Sequence, residues 1–193
     1  MWPFDRIKSK IYYEFLKRFK PEIVGKAHRN EQNVPTDVRI SNVTHISYKE
    51  NVKVGTNVFI GHFNYIDGFN QVTIGNGCQI TNYVSILTHS SHDSIRIYGE
   101  HYIEHWNKEM KTLLHAPVEI GEYCFIGPHS VIMPGTKLGK GCIVGAFSFV
   151  SGTFDDYSII RGIPAKTVGN SREGDEKIME EYPRFKNIYF DKS

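Results

Sequence analysis

The sequence predicts an all-β solenoid, a chain coiled into a narrow prism, and three observations predict it. Between residues 118 and 150 an aliphatic residue recurs every sixth position, at Ile120, Ile126, Ile132, Leu138, Val144 and Val150. Glycine follows it at 121, 127, 139 and 145. A period of six fits neither an amphipathic helix nor a plain alternating strand, so it marks an internal repeat. The fifth place of each unit is small (Cys124, Ser130, Thr136, Cys142, Ser148), which suits tight corners between stacked aliphatics. Finally, Val52-Lys53-Val54-Gly55, Val72-Thr73-Ile74-Gly75 and Val118-Glu119-Ile120-Gly121 alternate as strands starting on one face of the prism would.

Three segments follow in order. Residues 1–30 are an amphipathic helix and linker: Phe4, Ile7, Ile11, Phe15 and Phe19 stand at helical spacing among basic residues, and the helix ends before Pro21. Its apolar stripe would pack on the prism or a neighbouring subunit, or make a peripheral membrane contact through residues 1–20. Residues 31–169 are the solenoid. Its ladder runs through Ile40, Ile46 and Val52, slips by two to Val54, continues through Ile60, Ile66 and Val72, and slips again to Ile74, Ile80 and Ile86. A local insertion of this kind re-aims side chains near a site. The ladder then stops until Val118. The inserted loop 88–117 is too long to be a plain connection, and it holds five of the nine histidines with Arg96, Tyr98 and Trp106. Its aromatics and Ile95, Ile97 and Ile103 require burial, which argues against disorder. Residues 170–193 are a helical cap broken at Pro183, with Tyr182, Phe185, Tyr189 and Phe190 to close the prism's end.

Composition bounds the function. A net charge of +2 over 193 residues, without a basic block beyond the N-terminus, argues against a nucleic-acid partner. The apolar runs are short and no signal-peptide core is present, which predicts a cytoplasmic protein, at the inner membrane face only if the N-terminal helix makes the membrane contact instead of packing. Cys78, Cys124 and Cys142 each lie four residues after a ladder aliphatic and read as corner fillers, not as metal ligands or nucleophiles. His101 and His105 stand at i, i+4, but a third ligand is not evident, so no metal is expected.

Two motifs extend the ladder: Ser91-His92-Asp93 early in the insertion, and the closing run Ser158-Ile159-Ile160-Arg161-Gly162-Ile163-Pro164-Ala165-Lys166. With them the chain resembles the hexapeptide-repeat acyltransferases, most closely the maltose, galactoside and polysaccharide O-acetyltransferases. The resemblance implies a left-handed parallel β-helix with short N- and C-terminal helices, a homotrimer with sites at subunit interfaces, and acetyl-CoA as donor. It also implies an acetyl transfer to a sugar hydroxyl of a carbohydrate acceptor, a bacterial-type surface polysaccharide or its precursor, with histidine as general base. His92, six positions past Ile86, fits the family's spacing better than His89, three past it. Asp93, Glu100, Glu104 or a backbone carbonyl would orient the ring. Gly127, Gly145, Ala146 and Ser151 hold the places that line the pantetheine arm, and Lys166, with Arg161 beside it, would meet the nucleotide phosphates. His62, Asn64, Tyr65, Asp67 and Asn70 cluster about Gly61, where relatives bind the acceptor, and Arg96, Tyr98 and Trp106 of the insertion join them as acceptor-binding candidates. Two other readings stand beside this one: N-acetylation of an amino-sugar nucleotide, and a non-catalytic carbohydrate-binding or scaffold solenoid.

Overall fold

The computed structural model describes residues 21–24, 37–107 and 109–191, with Lys8 and Ile11 as isolated positions. The N-terminal stripe read from the sequence lies outside the described residues except for Ile11, which is helical and exposed. Strand β1 (Ile23–Val24) pairs antiparallel with the first rung of the solenoid. Successive turns then comprise β2 (Arg39–Ser41), β3 (His45–Ser47) and β4 (Val52–Val54); β5 (Phe59–Ile60), β6 (Tyr65–Asp67) and β7 (Val72–Ile74); and β8 (Gln79–Ile80) and β9 (Ser85–Ile86). The insertion carries β10 (His89–Ser90) and β11 (Leu114–His115), after which come β12 (Val118–Ile120), β13 (Phe125–Ile126), β14 (Val131–Ile132) and β15 (Lys137–Leu138). The last turns are β16 (Ile143–Val144), β17 (Phe149–Val150), β18 (Thr153–Phe154), β19 (Ser158–Gly162) and the antiparallel β20 (Ala165–Asn170).

These strands stack in parallel into three faces. The first runs β2-β5-β8-β13-β16-β19, the second β3-β6-β9-β14-β17 and the third β4-β7-β12-β15-β18. Each ladder aliphatic points inward, so Ile60, Ile66, Ile74, Ile80, Ile86, Ile120, Ile126 and Ile132 form one fully buried column. The coils sit so close that a Cβ on Gly127 would lie 2.6 Å from the Ala146 amide nitrogen, which is why glycine follows the aliphatic there. The three cysteines are buried at the corner between third and first faces, and each thiol donates to a carbonyl of the next coil: Cys78 to Gly121, Cys124 to Gly139, Cys142 to Asp155.

The slips in the ladder have a location. Partners Phe125 and Ile143 are 18 residues apart, but Phe59 and Gln79 are 20 apart. The extra pair falls between second and third faces, where Ile66 to Ile74 spans eight residues and Ile132 to Leu138 spans six. The insertion leaves from that same corner one coil later.

The insertion corrects the all-β expectation, since helices occur inside the chain and not only at its ends. Helix α1 (His92–Tyr98) and helix α2 (Tyr102–His105) are joined by a 3-10 turn at Gly99–His101, above the antiparallel β10–β11 stem. Tyr98 and Tyr102, on either side of the 3-10 turn, pack on a second small core of Phe69, Met110 and Leu113. Those residues supply the burial, whereas Ile95, Ile97 and Ile103 stay exposed.

At the far end, helix α3 (Ser171–Glu181) leaves Ile178 exposed, and Tyr182 beyond it is exposed as well. The tail after it closes the corner instead. Phe190 packs on Tyr123 and Tyr157, in the space above Gly141, and Asp191 is held by Lys140, Arg172 and the Tyr157 hydroxyl. Among the described residues, no helix is long and apolar enough to cross a membrane.

The inward column carries the stability. Ile126→Ala, at its centre, is expected to cost about 2–5 kcal/mol in chemical denaturation. Lys137→Ala, on the outside of the third face, is expected to cost less than about 1 kcal/mol in the same measurement.

Candidate active site

The wide corner and the stem of the insertion meet at Asp67. This carboxylate ends β6 and is 1% exposed, yet every lone pair it presents is used. Oδ1 accepts from the Phe69 amide at 3.0 Å and the Ser47 hydroxyl at 3.3 Å. Oδ2 accepts from the Thr88 amide at 3.0 Å and from His89 Nδ1 at 2.6 Å. The Thr88 hydroxyl lies within reach of both Oδ2 and the Asp67 carbonyl. Burial pushes the carboxyl pKa up, but the Phe69 and Thr88 amides and His89 outweigh it, and the net shift is downward. Asp67 therefore stands as an anion.

An anion on Nδ1 fixes the His89 tautomer. Nδ1 carries the hydrogen, and Nε2 keeps a lone pair directed away from the carboxylate. The ring is 31% exposed and rests on Phe69, with centroids 4.4 Å apart. Trp106 and Phe69 meet edge-on, with centroids 6.0 Å apart. His115 is the cross-strand partner of His89, and its Nδ1 lies 3.0 Å from the Asn70 side-chain nitrogen.

His92 has a different setting. It opens helix α1 with its side chain 54% exposed, and its Nδ1 contacts the Ser90 hydroxyl. Asp93 lies 3.6 Å from its Nε2 but is itself held by Arg96. Glu100 and Glu104 both approach His101, not His89 or His92. Tyr98 stacks on His105. No group of three or more His, Cys, Asp or Glu side chains among the described residues is arranged to hold a metal ion.

The residues gathered about Gly61 separate in space. Asn64 is buried, with its amide nitrogen on the Gly61 and Thr81 carbonyls and its oxygen on the Val84 amide, so it ties two coils together. His62 bonds the Ser41 hydroxyl, and Tyr65 stacks on His45 outside the second face. Gly127, Gly145 and Ala146 follow one another up the corner between first and second faces, whereas Ser151 is exposed just after β17. Arg161 and Lys166 are register partners across the β19–β20 hairpin, so two exposed cations stand side by side. The sequence did not single out Phe69 or pair Asp67 with His89. The available signal was the two-residue excess at 67–72, one coil below the insertion.

Comparison with known proteins agrees with this architecture. The family description "Bacterial transferase hexapeptide (six repeats)" matches residues 117–152. WbbJ of Escherichia coli K12, provisionally named a lipopolysaccharide biosynthesis O-acetyl transferase, is 32% identical over 112 residues, 58% of this chain and 57% of its own. A solved galactoside acetyltransferase in complex with coenzyme A superposes with a TM-score of 0.58 at 25% identity, covering 69% of this chain and 62% of that one. SAV2555 of Staphylococcus aureus Mu50, provisionally named an acetyltransferase, is 30% identical over 170 residues, 85% of this chain and 79% of its own. Shared at that identity over most of both lengths, the repeat places the chain in the hexapeptide-repeat acetyltransferase family.

Proposed function

We propose that the protein transfers the acetyl group of acetyl-CoA to a sugar hydroxyl, with His89 as general base and Asp67 as the carboxylate that orients it. The 2.6 Å contact between His89 Nδ1 and a buried, fully hydrogen-bonded carboxylate carries this reading. A hydroxyl is a poor nucleophile at neutral pH, so its proton must leave as the new C–O bond forms. His89 Nε2 takes that proton while the oxygen attacks the thioester carbonyl. The tetrahedral intermediate then expels the CoA sulfur, which receives the proton back from His89. Asp67 stabilises the intervening imidazolium without taking its proton. His92, hydrated and lacking a buried partner, is a weaker base candidate.

The donor assignment draws on the coenzyme A complex of the galactoside enzyme and on the Arg161–Lys166 pair, which suits the phosphates of CoA. Gly127, Gly145, Ala146 and Ser151 would flank the pantetheine arm, along a left-handed solenoid. The sugar acceptor draws on the names of WbbJ and the galactoside enzyme, and on the exposed Trp106, which meets the buried Phe69 ring that His89 rests on.

A homotrimer with shared sites completes the reading. Outward residues of the third face are polar: Lys53, Thr73, Glu119, Lys137 and Thr153. The other faces expose Phe125 and Ile143, and Tyr65 and Phe149. Between them Phe63, Tyr83, His129 and Phe147 stack ring on ring at 5.2, 4.8 and 4.8 Å, all at positive φ. Since the ring faces are spent on one another, their edges form an apolar strip along the prism. Packing face one of each copy on face two of the next closes a ring about that strip.

Three outcomes are expected. His89→Ala should lower kcat for acetyl transfer about 10²–10⁴-fold, and His92→Ala should leave it within about threefold; the reverse pattern would move the base to His92. Asp67→Asn should lower the melting temperature most at neutral pH. Because the native carboxyl pKa is lowered, its stabilisation is full above the ordinary carboxylate range and disappears as pH falls through the native value, so the gap to wild type should close in acid. Phe147→Glu should convert a trimer to monomers in light scattering, and a wild-type monomer would refute the shared site.

A further inference from the structure

His115 is the one group at this site that the mechanism above leaves unused, and its chemistry is fixed by its neighbours. The Asn70 side-chain oxygen accepts from the Gln71 amide at 3.0 Å, so the amide nitrogen is the end that faces His115 Nδ1. An amide NH₂ can only donate, so Nδ1 must accept. The hydrogen of neutral His115 then sits on Nε2. His89 has the opposite tautomer, because Asp67 keeps the hydrogen on Nδ1. No described residue hydrogen-bonds the Nε2 of either ring.

The two residues are also cross-strand partners. His89 and His115 are directly opposite in the β10–β11 pair, which puts them on the same side of the ribbon with Cβ atoms about 5 Å apart. Phe69 packs under both, at 4.4 Å from the His89 ring and 6.4 Å from that of His115. From two opposite residues the stem thus presents one nitrogen that accepts a proton and one that donates a hydrogen bond.

We propose that His115 is a second functional imidazole, which donates its Nε2–H to the oxygen adjacent to the hydroxyl that His89 deprotonates. The acceptor is then a vicinal diol: one hydroxyl gives its proton to His89 and attacks, and the other accepts from His115. Adjacent hydroxyls on a sugar ring can be met by two side chains that leave opposite residues of one ribbon, and an isolated alcohol leaves the exposed His115 donor to water. Asn70 serves as the positioning residue that holds the tautomer. The inference rests on His89 being the base, and its test separates the two.

The tautomers are read first, by two-bond ¹H–¹⁵N correlation on histidine-labelled protein at neutral pH. His89 is expected as the Nδ1–H form and His115 as the Nε2–H form, with Asn70→Ala mixing the forms of His115 alone; a His115 hydrogen on Nδ1 in the wild type overturns the proposal. Acetyl-CoA turnover is then measured with methyl gluco-, galacto- and mannopyranosides, and with monodeoxy analogues of the one acetylated fastest. His115→Phe is expected to raise acceptor KM about tenfold, the size of one neutral hydrogen bond, with kcat nearly unchanged. His115→Gln, which keeps a donor, should restore most of that. On the analogue lacking the adjacent hydroxyl, wild type and His115→Phe should have the same KM. An equal effect of His115→Phe on parent and deoxy sugars, an unaltered KM, or no turnover of any sugar overturns the diol assignment. Full activity of His89→Ala with the His115 pattern intact refutes the base reading alone. Unchanged melting temperatures of the variants confirm that folding is not what is being measured.

Discussion

Everything in this molecule depends on keeping one aliphatic side chain from each rung in the same inward column. Strands of adjacent coils must lie about 4.8 Å apart to hydrogen-bond, and the interior is wide enough for one Ile, Val or Leu per face and coil. That leaves no freedom within a strand: a one-residue slip would turn the aliphatic outward and bring a polar residue in. Extra residues can be accommodated only where the chain turns. The two-residue excess at 67–72 and the insertion at 88–117 obey this, since both leave the inward set Ile66, Ile74, Ile86 and Ile120 in register.

The buried carboxylate follows from that geometry. Taking a charge out of water is costly unless hydrogen bonds replace the lost solvent. Asp67 obtains them because a wide corner exposes amide hydrogens that a straight strand would commit to its neighbours: Phe69 turns its N–H back on Oδ1, and Thr88 in the next coil offers its N–H to Oδ2. The carboxylate is thus fixed before any ligand arrives, and so is the ring it holds. A ring held in this way keeps one tautomer and one orientation without reorganisation.

The fold was legible in the sequence because a solenoid is close to one-dimensional, so that the period of its aliphatics is also the period of its architecture. Even the cysteines could be assigned to corners by counting from the ladder. The site was less legible, for a reason visible in Asp67 and His89. They are 22 residues apart, one wide coil plus two, and only the register of β6 on β9 brings them together. Counting along the chain from Ile86 favours His92, which opens a helix, whereas His89 lies in the β10–β11 stem, where only the fold brings it to Asp67. The internal helices escaped for a different reason. Ile95, Ile97 and Ile103 lack a helical stripe, and Phe69, on which the insertion's own Tyr98, Tyr102, Met110 and Leu113 pack, comes from another coil.

A three-sided prism has three corners, and here each has a distinct chemical character. The corner between third and first faces is sealed: small thiols fill it from within, and Phe190 covers it from outside. That between first and second faces carries the aromatic strip, regular in every coil from Phe63 to Phe147, because a repeated ring at one left-handed position can stack only if no coil adds a residue there. Irregularity is therefore confined to the remaining corner. Since chemistry requires groups from different coils to converge, and convergence requires departure from the repeat, that corner is where the histidine pair and its carboxylate had to arise.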